Sequence, residues 1–306
     1  MSPAKSDKSI YDGLPKKDRQ ALARELARIQ REEERRRRRR NRIILRSSLI
    51  VVGVAALAVA GVTIYNTVRA TFVGPANMLS DGILFTGDGT NTTATATVAL
   101  QPGETPVAQA LDVSKVLRIT EYIDYASADA AKFETANGAA LQSYVTPGYA
   151  SIELHPVALD GDGSSNSYST RAANAVACVA NTTPDAVLAV HNALIKAQST
   201  LPEGGLTNDA LVSLVNTAGA TDAKIASCIT GNEFDDWVKG ATDRAKANVP
   251  NSDVTALTTV PLIVMDGTAY TGALDDTTAL NTFITDVFGK ATGAGSTATP
   301  TPTPTP

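Results

Sequence analysis

The stretch Val116–Glu134, V-L-R-I-T-E-Y-I-D-Y-A-S-A-D-A-A-K-F-E, changes character at its middle. Val116, Ile119 and Ile123 make its first half alternating and β-branched, the pattern of a strand that enters a core. From Ser127 onward Ala, Lys and Glu dominate, and these residues favour helix. Ser127 stands at the joint, where a hydroxyl can accept a bond from an early helical N–H. The stretch therefore predicts a strand, a tight joint and a helix.

Tyr125, Ala126, the tetrapeptide Ser127-Ala128-Asp129-Ala130 and then Phe133-Glu134 follow that strand in a fixed frame. The frame resembles the active-site segment of the DsbA-like branch of the thioredoxin superfamily, where C-x-x-C fills the tetrapeptide. Here Ser127 and Ala130 stand at the two cysteine positions. Later segments are similar to the inserted helices of actinobacterial members: Arg171–Val179 with Cys178, His191–Ile195, Leu201–Leu211, and Ile225–Ile229 with Cys228, Phe234 and Trp237. Val260-Pro261, followed by Asp266-Gly267, resembles that family's cis-proline strand and the hairpin turn after it. The resemblance spans roughly residues 82–289. It implies an α/β thioredoxin-like fold with an all-helical domain between its second and third strands. It also makes Ser127, Ala130 and Pro261 vestigial active-site positions.

Thiol–disulfide exchange needs one thiolate to attack and a second sulfur to resolve the mixed disulfide. A helix N-terminus would activate a Cys at position 127. A serine hydroxyl there stays protonated at neutral pH and forms no disulfide, and Ala130 carries no reactive atom. The chain has two cysteines in all, Cys178 and Cys228. On an exported body such a pair reads as a structural bridge. A redox-active pair is the sharper alternative, but neither Cys lies in a C-x-x-C or beside a basic residue, so the structural bridge is the expectation.

The net charge of −4 conceals an asymmetry. Residues 1–46 hold 16 Lys/Arg against 7 Asp/Glu, and the other 260 hold 11 against 24. Between the basic head and the acidic body lies an uncharged run, 47–68, long enough as a helix (about 33 Å) to span a bilayer. The run Arg35–Arg40 directly before it holds that side in the cytoplasm and suits anionic lipid headgroups; it carries no nucleic-acid code. The reading is an uncleaved signal anchor in the plasma membrane, crossing once with the body outside. Gly53, Ala56, Ala60, Thr63 and Thr67 place small residues along one face of that helix, as helices packed against other membrane proteins do.

The expected domains are a basic helical head (1–46), the anchor (47–68), an arm (69–112), the thioredoxin-like body (113–290, helical insert about 166–248) and a Thr/Pro tail (291–306) that reads as extended and disordered. Asp160-Gly161-Asp162-Gly163-Ser164 lacks the Gly and Glu that a calcium loop needs at its sixth and twelfth positions. No metal and no cofactor are expected. His155 and His191 read as scaffold.

With both family cysteines replaced, the sequence points away from an enzyme. It points to a non-catalytic accessory subunit of a cell-envelope membrane complex, with a respiratory oxidase supercomplex as one conceivable host. The alternatives are a peptide-binding or chaperone module beside Pro261, and a residual oxidoreductase acting through Cys178 and Cys228 or through Ser127.

Overall fold

The structure is a computed structural model that describes residues 73–109, 111, 115–160 and 167–291. The basic head with Arg35–Arg40, the 47–68 anchor with Gly53, Ala56, Ala60, Thr63 and Thr67, and the tail beyond 291 lie outside the described residues. Among those described, no helix is long and apolar enough to cross a membrane.

Six strands form one sheet: β1 (Ile83–Gly87), β2 (Thr92–Ala94), β3 (Leu117–Ile123), β4 (Ala150–Pro156), β5 (Leu262–Met265) and β6 (Thr268–Ala269). Their spatial order is β2-β1-β4-β3-β5-β6. β3 and β4 are parallel, and helix α1 (Ala128–Val145) makes the crossover between them. The other pairings are antiparallel. This is the thioredoxin-like arrangement. The segment read as an arm or edge strand against the body is part of the sheet: β2 forms its edge, and β1 pairs inward with β4, Phe85 opposite Ile152 and Ile83 opposite Leu154.

Register assigns the two faces of the sheet. Ile83, Phe85, Ile119, Ile123, Ile152, Leu154 and Met265 share one face and meet Phe133, Leu141 and Val145 of α1 in the main core. Each large apolar side chain wholly removed from water contributes about 1.5–3 kcal/mol. The opposite face carries Arg118, Thr120 and Tyr122 of β3 beside Ser151, Glu153 and His155 of β4. A smaller apolar cluster of Tyr122, Val157, Ala245, Val249, Leu257 and Val260 covers part of it.

Between β4 and β5 the chain is helical: α2 (Tyr168–Thr182), a 3-10 turn (Pro184–Ala186), α3 (Val187–Gln198), α4 (Asn208–Thr217), α5 (Ala223–Gly231) and α6 (Asp235–Ala247). α2 is the axis of this insert. Twelve of its residues are buried, many of them Ala, which lets the surrounding helices approach closely. Ser167, Thr207 and Asp222 cap α2, α4 and α5 through their side chains. Cys178 of α2 and Cys228 of α5 are disulfide-bonded, with Cα atoms 5.8 Å apart. Helix α7 (Thr277–Ala291), capped by Asp276 accepting from Thr278 and Ala279, closes the fold.

Candidate active site

The end of β3 delivers Asp124, Tyr125 and Ala126 to the joint before α1. The Asp124 carboxylate accepts from Ala126 N–H (2.9 Å) and from Asp160 N–H (2.8 Å), which fixes the turn. Burial raises the Asp124 pKa, and these bonds oppose the rise. Ser127 then caps α1: its Oγ accepts from Ala130 N–H at 3.3 Å. The same hydroxyl donates to the carbonyl of Val260 at 3.4 Å, and the Val260–Pro261 peptide bond is cis. Ser127, Ala130 and Pro261 are thereby brought to one edge, with Ser127 6% exposed and Ala130 fully buried.

Among the described residues, neither histidine reaches Ser127 as a general base. His191 Nδ1 lies 3.1 Å from the Tyr125 hydroxyl, and its Nε2 lies 3.4 Å from Glu134 Oε2. His155 stacks on Tyr122 with ring centroids 4.5 Å apart, on the opposite face of the sheet. The Ser127 hydroxyl is occupied in both its roles, as a cap acceptor and as a donor. Among the described residues, nucleophilic chemistry at this serine has no histidine positioned to take its proton.

Behind Ser127 lies a group of buried polar side chains that sequence reasoning left unassigned. Glu121 points to the apolar face of the sheet, between Ile119 and Ile123 in the alternation. Burial first, and the charge of Glu134 second, push its carboxyl well above the usual range. Burial likewise raises Tyr125. Glu134 keeps its place because Gly138, one turn later, leaves room; a Cβ there would come within 2.4 Å of Glu134 Oε2. Asn137 ties the same helix to the chain before α7 through its amide, which donates to the carbonyl of Leu274 at 2.8 Å. The signal for Glu121 was legible in the alternation of β3, which predicts an apolar residue at that position.

The remaining redox-capable group is the disulfide. Cys178 is fully buried and Cys228 is 5% exposed. Asn174, one turn before Cys178, places Oδ1 3.8 Å from its sulfur and accepts from Phe234 N–H at 2.9 Å, tying the disulfide to the start of α6. Its Nδ2 has no hydrogen-bond partner among the described residues. Among the described residues, no group of three or more His, Cys, Asp or Glu could hold a metal ion.

A thioredoxin fold with an inserted helical domain, a capped helix start and a cis-proline opposite it defines the class. A family model described as Thioredoxin matches residues 115–286, more than half of the chain, and the chain belongs to that family. Solved structures of DsbA-like proteins share its fold. DsbA from Mycobacterium tuberculosis in its reduced form is 21% identical with a TM-score of 0.50, covering 71% of this chain and 100% of its own. The disulfide bond oxidoreductase DsbG of the same organism is 22% identical with a TM-score of 0.51, covering 71% and 95%. MdbA, a thiol-disulfide oxidoreductase from Corynebacterium matruchotii, is 14% identical with a TM-score of 0.51, covering 70% and 94%. No curated protein matches the sequence.

These findings correct the functional expectation. The reading as a non-enzymatic accessory subunit rested on the loss of sulfur at positions 127 and 130, on the single anchor and on its small-residue face. The structures that share the fold over about 70% of the chain are oxidoreductases, and the chain carries a disulfide, Cys178–Cys228. The reading as a non-catalytic subunit is therefore withdrawn, since the fold is one that oxidoreductases share.

Proposed function

We propose that the chain is a thiol–disulfide oxidoreductase whose redox couple is Cys178–Cys228, held outside the plasma membrane by the 47–68 anchor with its basic head against anionic lipid. The observation that carries this reading is the disulfide itself, the one sulfur pair in a fold shared with oxidoreductases. Ser127 and Ala130 neither form nor resolve a mixed disulfide, so exchange runs through the helical insert. A substrate thiolate attacks Cys228 Sγ, the more exposed sulfur. The S–S bond breaks, and Cys178 leaves with the electron pair. Cys178 takes up the proton that the substrate thiol released, and Asn174 Oδ1 accepts the new S–H bond. A second substrate thiolate then displaces Cys228, which leaves as a thiol. The substrate dithiol is oxidised to a disulfide, and the pair gains two electrons and two protons; the reverse sequence reduces a substrate disulfide.

The test is insulin reduction and dithiol oxidation by the full chain in mild detergent. Turnover above background, lost on Cys178→Ala or Cys228→Ala, supports the proposal. Turnover at background, or turnover unchanged when both cysteines are replaced, overturns it. The double variant Ser127→Cys with Ala130→Cys, made in the chain lacking Cys178 and Cys228, shows whether the assay detects exchange on this fold.

A further inference from the structure

On the face of the sheet opposite α1, two adjoining cavities of about 300 and 250 Å3 lie among α6, the loop after it and the chain before β1. Both are lined by Ser80, Pro106, Tyr122, His155 and Pro250, so they meet across the Tyr122–His155 stack. Each lies at or just below the lower end of the range for ligand sites, about 300–1,000 Å3. We propose that together they form a binding site for an uncharged, elongated molecule that presents a carbonyl or amide group to the Tyr122 hydroxyl.

The hydroxyl is the first observation. Tyr122 is 3% exposed and lines both cavities, yet its OH bonds to no described residue. The hydroxyl opens into the cavities, where it is free to donate to a ligand carbonyl. The second is charge balance. At one end Arg118 faces Glu153 at 3.5 Å. At the other, Arg244 holds Asp81 through two bonds of 2.6 and 2.7 Å. Each guanidinium is matched by a carboxylate. His155 is kept towards its neutral form by burial, against the pull of Glu153 and Asp81, and burial raises the Tyr122 pKa far above neutrality. An entering ion would bring a charge with nothing to balance it, whereas a neutral molecule would not.

The third observation is that the site is built from separate segments held in unusual backbone conformations. Asp81 adopts a left-handed conformation (φ 67°), which non-glycine residues adopt sparingly, and its carboxylate meets Arg244 there. Gly82 follows it because a Cβ would come within 2.5 Å of His155 Nε2. The walls between the charged ends, Val157, Ala241 and Ala245 with the two prolines, are apolar and suit a hydrocarbon body.

The experiment uses the full chain in mild detergent, with N-acetyl-leucinamide as the uncharged probe and N-acetyl-leucine as its charged counterpart. Binding is followed by ligand-detected NMR and equilibrium dialysis. The expected result is saturable one-to-one binding of the amide, and at least tenfold weaker binding of the acid. Tyr122→Phe should weaken the amide at least tenfold with an unchanged melting temperature. Ala241→Leu, which fills the cavity from its wall, should abolish binding without lowering that temperature. Absence of saturable binding, equal affinity for the acid, or wild-type affinity in both variants would overturn the proposal.

Discussion

Replacing Cys178 and Cys228 by alanine removes the cross-link that joins the axis of the helical insert to α5. The bridge closes a loop of sequence separation 50. In the chain-entropy treatment a loop of that length restricts the unfolded chain by about 14 cal/mol/K, or about 4 kcal/mol at 25 °C. Both sulfurs are buried, and losing each adds about 0.8 kcal/mol, as for a buried methylene. The double variant should therefore be about 6 kcal/mol less stable than the oxidised protein, and the reduced wild type about 4. Against a total stability of about 5–15 kcal/mol, either is a large fraction. Thermal unfolding of the full chain in mild detergent should show the reduced protein melting about 8–16 °C lower, at about 2–4 °C per kcal/mol for a body of this size. Amide exchange should place the loosening in α2 and α5 rather than in the sheet. A drop of less than about 3 °C, or exchange that accelerates first in β3 and β4, would refute the reasoning, because the bridge would then constrain nothing that unfolding releases.

The other predictions concern charge. Glu121 has a folded-state pKa raised by burial, so its contribution is fully present below the unfolded carboxylate value and is lost as pH rises towards the folded one. Glu121→Gln should remove that loss, and urea unfolding should show the variant gaining on wild type between pH 5 and 8; an equal gain at both values would sink the assignment. Asp235, raised to about 7 by burial first and by neighbouring Asp236 second, behaves in the same direction over a window from about 4 to about 7. Asp235→Asn should flatten the stability profile in that window, and a profile identical to wild type would count against it. Arg244→Ala leaves the Asp81 carboxylate without its bidentate partner. The pair is partly exposed, so the expected loss is about 2 kcal/mol, between the values for surface and buried pairs. A double-mutant cycle with Asp81→Ala that gives no coupling would show the pair to be inert.

Much of the architecture was legible because it is local. Val116–Glu134 announces strand, cap and helix through residue type alone, and the Ala-rich helices of the insert follow a 3.6-residue period. Strand β1 was harder to see. Ile83–Gly87 is a short apolar run between glycines, with no alternation to mark it, and only its pairing with β4 makes it a strand. The cavity pair was illegible for a related reason. Asp81, Arg118, Glu153 and Arg244 come from four separate segments, and nothing in their spacing announces that they converge. The functional expectation failed differently. It weighed what positions 127 and 130 lack together with the anchor and its small-residue face, whereas the fold itself is one that oxidoreductases share.

The strand order has a consequence for how the body assembles. The insert is made of contacts between near neighbours in the chain, whereas Ile119 of β3 must wait for Met265 of β5. Contacts of high sequence separation form slowly, because the intervening chain must be ordered first. As the polypeptide is made from its N-terminus, β3 and β4 can pair across α1 while the edge of β3 that β5 will occupy stays open. An open, apolar strand edge is a template for pairing with another chain. The helices between β4 and β5 thus lengthen the interval in which a nascent chain is exposed to aggregation. A chaperone that shields the edge of β3 should raise the yield of folded protein more than one that shields the insert.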